Sequence, residues 1–471
     1  DVSHYVSAGT PLDEEARRRG CSVYLPDRAI PMLPTALSAG ICSLLPQQDR
    51  LALVVRLDVD AAGAVVESDC MAAVIHSRAR MTYTAVNGIV GTKDPALRET
   101  WRELVPTFEL MLELFEVLNG RRRRRGSIDF DLPEAEVQVD ADGAISAIIA
   151  AERNVAHRII EEFMLLANET VAAHLEQAGM PALYRVHEAP DPVRVLEFDD
   201  FVSSLGVRLD APADGVHPRH FQQLVDRIKG TPEERPIASL MLRTMQKARY
   251  DAANLGHFGL AAHTYTHFTS PIRRYPDLVV HRVLRELRHG LATPERRAEL
   301  EEGLPEVAQH TSAMERRAQE AERELLQWKK VRFMTDKVGE IYAGYITGVA
   351  AYGLFVQMTE HFVEGLVHVS TLADDFYRFD DQARVLFGER SKKIFRLGDA
   401  VRVQVLRVDM QRRQVELGIA DVLDTVRNDE RSRGPRRSQA APKKGRPAPP
   451  RIGKRRRDGK RERTVKKTGR R

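Results

Sequence analysis

The strongest constraint on what this chain folds into is a change of hydrophobic period at Val338. Beyond it, apolar and polar residues alternate over five short runs: GEIYAGYITGV at 339–349, GLFVQM at 353–358, VEGLVH at 363–368, AVRVQVLRVD at 400–409 and QVELGI at 414–419. Such alternation turns one face of each strand inward. Five strands within about 80 residues predict a small Greek-key barrel of OB type over 338–420, with a charged and aromatic insertion after the third strand. Tyr352-Gly353-Leu354-Phe355-Val356 and Glu364-Gly365-Leu366-Val367-His368-Val369-Ser370 set aromatics and a histidine beside glycines. Phe355 and His368 are therefore the candidate binding residues of one barrel face, since stacking on an exposed aromatic is worth about 1–3 kcal/mol per base, whatever the base. The competing reading makes Phe355 a core residue.

Before Val338 the periods are mixed, so the fold class is α+β, with a mixed α/β body over 1–330. Residues 1–90 read as loops and short strands. Asp-Val-Ser-His-Tyr-Val at the start alternates as an extended segment, PMLP occupies 31–34, LALVVRLDV at 51–59 is a strand, Gly63 a turn, and a second strand over 71–76 alternates on into 78–83. From Pro106, which suits a first helical turn, Phe108, Met111, Leu112, Phe115 and Leu118 recur at helical spacing, and the helix runs out at Asn119-Gly120. The arginines at 121–125 then read either as a solvated loop or as a nucleic-acid contact. A strand pair, 127–130 with 137–139, precedes an amphipathic helix over 151–174 with Ile159, Ile160, Phe163, Met164 and Ala167 inward. Helices continue to about Lys330, and the last, a charged one from Pro305, carries Glu315, Glu320 and Glu322 before Trp328.

Among these helices lies HFGLAAHTYTHFTSPIRRYPDLVVHR at 257–282, with four aromatics, four histidines and three arginines around Ser270-Pro271-Ile272-Arg273-Arg274-Tyr275-Pro276. Pro271 and Pro276 fix φ near −65° and bias Ser270 and Tyr275 away from the α region, so the arginines sit on a stiffened turn. Rigid placement suits phosphate, and the planar guanidinium can donate two parallel hydrogen bonds to its oxygens. Ser270, Arg274, Tyr275 and His267 join Arg273 as candidates at the substrate. Arg274 and Asp277 have a plainer reading, as an ion pair or as the cap of a helix through Val279, Val280 and Val283. His267 and His281 read more readily as structural hydrogen-bonders than as catalysts.

Charge is divided unevenly. The chain carries +5 overall, but residues 431–471 hold 19 Lys/Arg against Asp458 and Glu462, a net +17 that leaves −12 on the first 430. A tail rich in Pro, Gly and Arg and free of aromatics cannot bury enough apolar surface to fold, so 421–471 is expected to be disordered. It reads as a solubilising extension or as a polyanion binder that releases counterions, with the ribosome or other RNA–protein complexes as partners. With 43% hydrophobic residues the remainder can build a sizeable core in two or three domains. No run of about 18 uncharged apolar residues and no signal-peptide pattern occurs, so a cytoplasmic protein without a membrane partner is expected. Cys21, Cys42 and Cys70 are too few and too irregularly spaced for a disulfide framework or a zinc site, which leaves buried reduced thiols.

Several motifs resemble the ribonuclease II/ribonuclease R family. They are Asp-Val-Ser-His-Tyr-Val at the start, Thr10-Pro11-Leu12-Asp13, Ser22-Val23-Tyr24, Ile30-Pro31-Met32-Leu33-Pro34, Cys42-Ser43-Leu44, Ala79-Arg80-Met81-Thr82-Tyr83, Ile160-Glu161-Glu162 and the 257–282 segment. The order of parts is similar to the ribonuclease R branch, which joins an RNB catalytic domain to an S1-type OB domain and often a basic tail. The resemblance implies processive 3′-to-5′ hydrolysis of RNA to nucleoside 5′-monophosphates by a monomer, acting on single strands and on structured RNA with a 3′ overhang. It also implies Mg²⁺, which helps water attack the terminal phosphodiester. By motif, Arg273 contacts the scissile phosphate and Tyr83 helps clamp the terminal nucleotide. Glu322, six residues before Trp328, lies near that nucleotide unless the register places Glu320 there. The plain alternatives are a core tyrosine at 83 and a solvated helix residue at 322.

One family feature is absent. The resemblance implies a metal site of clustered aspartates, of D-x-x-D-x-D-D type, a few tens of residues before Asp1, and no such cluster follows it. Divalent cations need several oxygen ligands, and the scattered Asp1, Asp58 and Asp60 offer no substitute. The RNB domain is therefore expected to be incomplete at its N-terminus and the chain unable to hold the catalytic Mg²⁺. A non-catalytic single-stranded RNA-binding protein is the alternative.

Overall fold

The computed structural model describes every residue except 130–134, 141–144, 212–214, 232, 381–383 and 433–471. Asp1–Val426 form one compact unit. The opening residues are helical rather than extended: Val2–Tyr5 form a turn of helix that packs on the helix Tyr275–Arg288. Val2 and Val6 are both buried. Four-residue spacing serves a helical turn as well as a strand, and packing on the neighbouring helix decides for the turn.

Strands Asp49–Val59 and Val65–His76 make a long antiparallel hairpin pairing Asp49 with His76. The second strand therefore starts six residues earlier than its alternation suggests, and it does not run on to residue 83. Thr82 instead caps the helix Tyr83–Val90, its hydroxyl accepting from Ala85 N at 3.1 Å. The helix Val105–Arg125 likewise passes through Gly120 and ends at Gly126, whose φ of 98° is left-handed. The five arginines are thus its last turns and not a loop. Arg122 pairs with Glu162 at 2.6 Å, Arg125 with Glu169 at 2.6 Å and Arg123 with Asp226 at 3.1 Å, while Arg121 donates to Gly63 O. Cations at a helix C-terminus also suit its dipole.

Residues 127–129 lie in no strand, because Ile128 N donates to Gly259 O at 2.9 Å; Phe130 falls outside the described residues. Ala135–Val139 pairs with Ile145–Ala150 instead. In the helix Val155–Gln177 the buried residues include Ile159, Glu162, Asn168, Val171 and Leu175, whereas Ile160, Phe163, Met164 and Ala167 are only half-buried. Two polar groups, Glu162 and Asn168, thus hold the inward stripe. The charged helix begins at Pro294, not Pro305, and runs to Phe333. Pro305 removes one donor, but Leu300, Leu304 and Ala308 are buried on one stripe that spans it.

The five strands expected after Val338 occur as Ile341–Ala350, Gly353–Met358, Glu364–His368, Ala400–Asp409 and Gln414–Ile419. They close into a barrel in which Gly353–Met358 and Ala400–Asp409 flank Ile341–Ala350, and Glu364–His368 meets Gln414–Ile419 in parallel. The insertion folds as its own three-stranded sheet, Tyr377–Asp380, Val385–Gly388 and Ile394–Phe395. Leu354, Val356, Val367, Val403 and Leu417 fill the barrel, joined in one core by Ile148 and by Val331 and Met334 at the end of the long helix. The helix Ala420–Ser432 follows, with Val422 in that core. The disorder expected from residue 421 therefore does not start there, and the rest of the tail, 433–471, lies outside the described residues. No described helix is long and apolar enough to cross a membrane. Cys42 and Cys70 are buried, Cys21 is half-buried, and all three are free thiols.

Candidate functional site

The proline-braced turn is tied to the segment entering the first short strand. Ser22 N donates to Arg273 O and Tyr275 N to Gly20 O, each at 2.9 Å. Gly20 has φ 70°, and a Cβ there would lie 2.6 Å from Met314 Cβ of the long helix, so glycine alone lets the chain through. Asp277 is fully buried and closes the turn, its Oδ1 accepting from Ser270 N at 2.7 Å and from Arg274 Nη2 at 2.8 Å. Burial raises its pKa while Arg274 opposes that rise. Tyr275 is also buried, donating its hydroxyl to Asp13 Oδ1 at 2.8 Å, and Arg282 pairs with the same carboxylate at 2.7 Å.

These bonds favour the plainer reading of Arg274, as an ion pair with the buried Asp277, and they correct the expectation for Tyr275, which is sealed in the core. Ser270 engages its backbone, leaving its hydroxyl without a partner among the described residues. Arg273 is exposed, and its guanidinium bonds no described residue. The turn is thus a rigid mount that presents one cation.

Beneath the turn, neutral histidines and aromatics form the floor. His267 Nδ1 shares a hydrogen bond of 2.8 Å with the Tyr250 hydroxyl. Burial, followed by the fields of Arg274 and Arg185, holds the His267 pKa well below its ordinary value. Arg185 lies over the Tyr250 ring at 4.8 Å and is gripped by both oxygens of Glu315, at 2.6 and 3.1 Å. Burial likewise pushes His257 and His281 down to about 3. His281 Nε2 donates to Phe268 O at 2.8 Å. None of the three gains a proton near neutrality, which fits structural roles and keeps positive charge concentrated on the arginines. Asn168, which sequence reasoning missed, donates to the Tyr265 hydroxyl and accepts from Phe268 N, both at 2.9 Å. An amide at helical spacing with Val171 and Leu175, on a stripe that also holds Glu162, is the signal that could have found it.

Tyr83 is 46% exposed, which removes the core-tyrosine reading. It stacks on His157, ring centroids 3.9 Å apart and planes 21° from parallel, and this partner too escaped the sequence reading. No hydrogen bond or ring contact among the described residues joins Tyr83 to Arg273. Glu322 faces the short strand Val23–Leu25, accepting from Tyr24 N at 2.7 Å, whereas Glu320 is exposed. Ser22, which holds Arg273, is two residues from Tyr24, about 7 Å along an extended chain.

On the barrel, Leu354, Val356 and Met358 point inward and Phe355 outward, so Phe355 is not a core residue. It meets Tyr352 edge-on at 6.0 Å, and Tyr352 is 51% exposed. His368, exposed at the end of the next strand, bonds Ser370 Oγ at 2.8 Å. Among the described residues no group of three or more His, Cys, Asp or Glu could hold a metal ion.

A family model for the RNB domain matches residues 1–290, and one for the S1 RNA binding domain matches 335–420. The chain belongs to the RNB family, as its motifs indicated. Its curated relatives include Ribonuclease R of Aquifex aeolicus, 47% identical over 425 residues that make up 90% of this chain and 60% of the relative. Ribonuclease R of Escherichia coli is 42% identical over 436 residues, 91% of this chain and 53% of the relative. The chain thus spans little more than half the length of these relatives. Among solved structures, the apo form of Mycoplasma genitalium RNase R superimposes with a TM-score of 0.83 at 29% identity, over 89% of this chain and 65% of that one. The same protein in complex with double-stranded RNA gives 0.77 at 27% identity, over 89% and 69%.

Proposed function

We propose that this protein serves 3′-to-5′ exoribonucleolytic turnover of RNA in the cytoplasm, releasing nucleoside 5′-monophosphates processively. Residues 1–330 are the catalytic body and 338–420 an OB-type barrel that guides single-stranded RNA. The observation that carries this reading is Arg273, an exposed guanidinium with no described partner on a turn whose neighbours are all tied down. It grips the scissile phosphate from a backbone already fixed by Ser22 N and Ser270 O, so only its side chain has to be ordered. Tyr83 and His157, stacked face to face, part to hold the terminal base. Glu322 binds near that nucleotide, with its position set by Tyr24 N. Phe355, Tyr352 and His368 supply a stacking face on the barrel.

Mg²⁺, which the resemblance implies, does not fit the described carboxylates near the turn. Asp277 is engaged by Arg274, Asp13 by Arg282, Asp1 by Arg285, Asp251 by Arg249 and Glu315 by Arg185. Each is neutralised by a cation, and metal-assisted hydrolysis requires carboxylates other than these. In a form that also carries the metal-holding carboxylates, the expected activity is shortening of a 5′-labelled oligonucleotide from its 3′ end, with monophosphates as product; internal cuts would sink the reading. In a form that hydrolyses RNA, Arg273→Ala lowers kcat more than it weakens binding. Equal losses would make Arg273 a tether only.

A further inference from the structure

Where the barrel meets the body there is a cavity of about 150 Å³, lined by Arg235, Pro236 and Ser239 from the body and by Tyr345, Thr347 and Gln357 from the barrel, among others. Its walls are fixed. Gly398 has φ 89°, and a Cβ there would stand 2.5 Å from Pro236 Cγ. Ile346 exchanges backbone hydrogen bonds with the same loop, donating to Asp399 O at 3.0 Å and accepting from Gly398 N at 2.8 Å. The Tyr345 hydroxyl donates to Gln357 Oε1 at 2.5 Å, which orients the ring. Over that ring, 5.3 Å from its centroid, lies the guanidinium of Arg235, an exposed residue of the helix Glu234–Thr244.

Tyr345 and Gln357 are cross-strand partners, and Gln357 shares the outward face with Phe355, two residues away. The stacking face on the barrel therefore continues into this cavity. We propose that the junction is a nucleotide subsite for single-stranded RNA, in which one base stacks on Tyr345 and Arg235 moves from the ring to the adjoining phosphate. A bare aromatic ring accepts any base, and the displaced guanidinium is matched to phosphate in shape and charge. Ser239, Thr347 and Gln357 offer hydroxyl and amide groups to the base edge. The subsite rests on the reading of the barrel as a single-strand guide, and it couples that guide to the catalytic body, since its two halves belong to different parts of the fold.

The test is binding of a fluorescent oligouridylate to the full chain across a salt series. Tyr345→Ala weakens binding on the order of tenfold, the value of one stacked base, whereas Tyr345→Phe retains it. Arg235→Ala reduces the slope of log K against log salt by about 0.7, one phosphate on a single strand. A 5-iodouridine oligonucleotide photocrosslinks to Tyr345, a readout that a purely structural contact between barrel and body would not give. Should Phe355→Ala weaken binding while Tyr345→Ala and Arg235→Ala leave affinity and slope unchanged, the subsite is wrong and the barrel reading stands. Should the wild-type chain fail to hold the oligonucleotide at all, both fall together.

Discussion

The 270–277 turn and the outer face of the barrel both present side chains suited to RNA, yet they are held by opposite means. At the turn one exposed arginine stands on a buried polar frame, with Asp277 bonded to Ser270 and Arg274 and Tyr275 to Asp13. On the barrel, strand alternation alone puts Phe355 outside and Leu354 and Val356 inside, with no polar scaffold behind the ring. The difference teaches where each region is vulnerable. Damage to the turn acts through folding and orientation; damage to the barrel face acts on binding alone.

The largest effect that could break this contrast is Asp277→Ala. It strands the Arg274 guanidinium without its buried partner, and the expected loss is about 3–5 kcal/mol in urea unfolding, whereas Phe355→Ala stays within about 0.5 kcal/mol. Similar losses from both would erase the distinction.

Acid comes next. The unfolded His281 takes a proton below about pH 6.5, while the folded one, buried beside Phe268, refuses it until about 3. Stability is thus full above pH 6.5 and falls as pH drops through that window, by about 1.4 kcal/mol per unit for this residue. His281→Gln, which keeps a donor for Phe268 O, should flatten the pH dependence of unfolding; an unaltered slope would deny the histidine this role.

A smaller effect sharpens the barrel side. Phe355→Ala should weaken single-stranded RNA binding by about 1–3 kcal/mol with the melting temperature unchanged, and a matching drop in that temperature would return Phe355 to the core. The mildest test concerns the tail. Ending the chain after residue 432 should make binding less salt-dependent, by about 0.7 in the slope for each phosphate no longer neutralised, while an unchanged slope would remove the tail from RNA binding.

The barrel was legible because its evidence is local: alternation reports a strand's inward face residue by residue, and the five predicted runs lie within a few residues of the observed strands. The body was less so. Val2 and Val6 fit strand or helix equally, Gly120 looked like a helix end, and Pro305 like a helix start. Each was overruled by distant partners: the helix Tyr275–Arg288, the carboxylates Glu162 and Glu169, and a buried stripe running past the proline. In the site, the stiffness of the turn was readable from its two prolines. The pairing of Arg274 with Asp277 was readable as one alternative from their three-residue spacing; that Tyr275 turns inward to Asp13 was not, because its partner lies at the far end of the chain.

The sequence by itself determined the family, the strand faces of the barrel, the braced turn and the charge asymmetry of the tail, since motif, period and composition are properties of neighbouring residues. Only the tertiary structure decided that Tyr275 is sealed against Asp13, that Tyr83 rests on His157, and that Arg235 covers Tyr345. Each of those depends on a partner dozens of residues away, and a choice among chemically similar side chains is made by which of them finds such a partner as the chain packs.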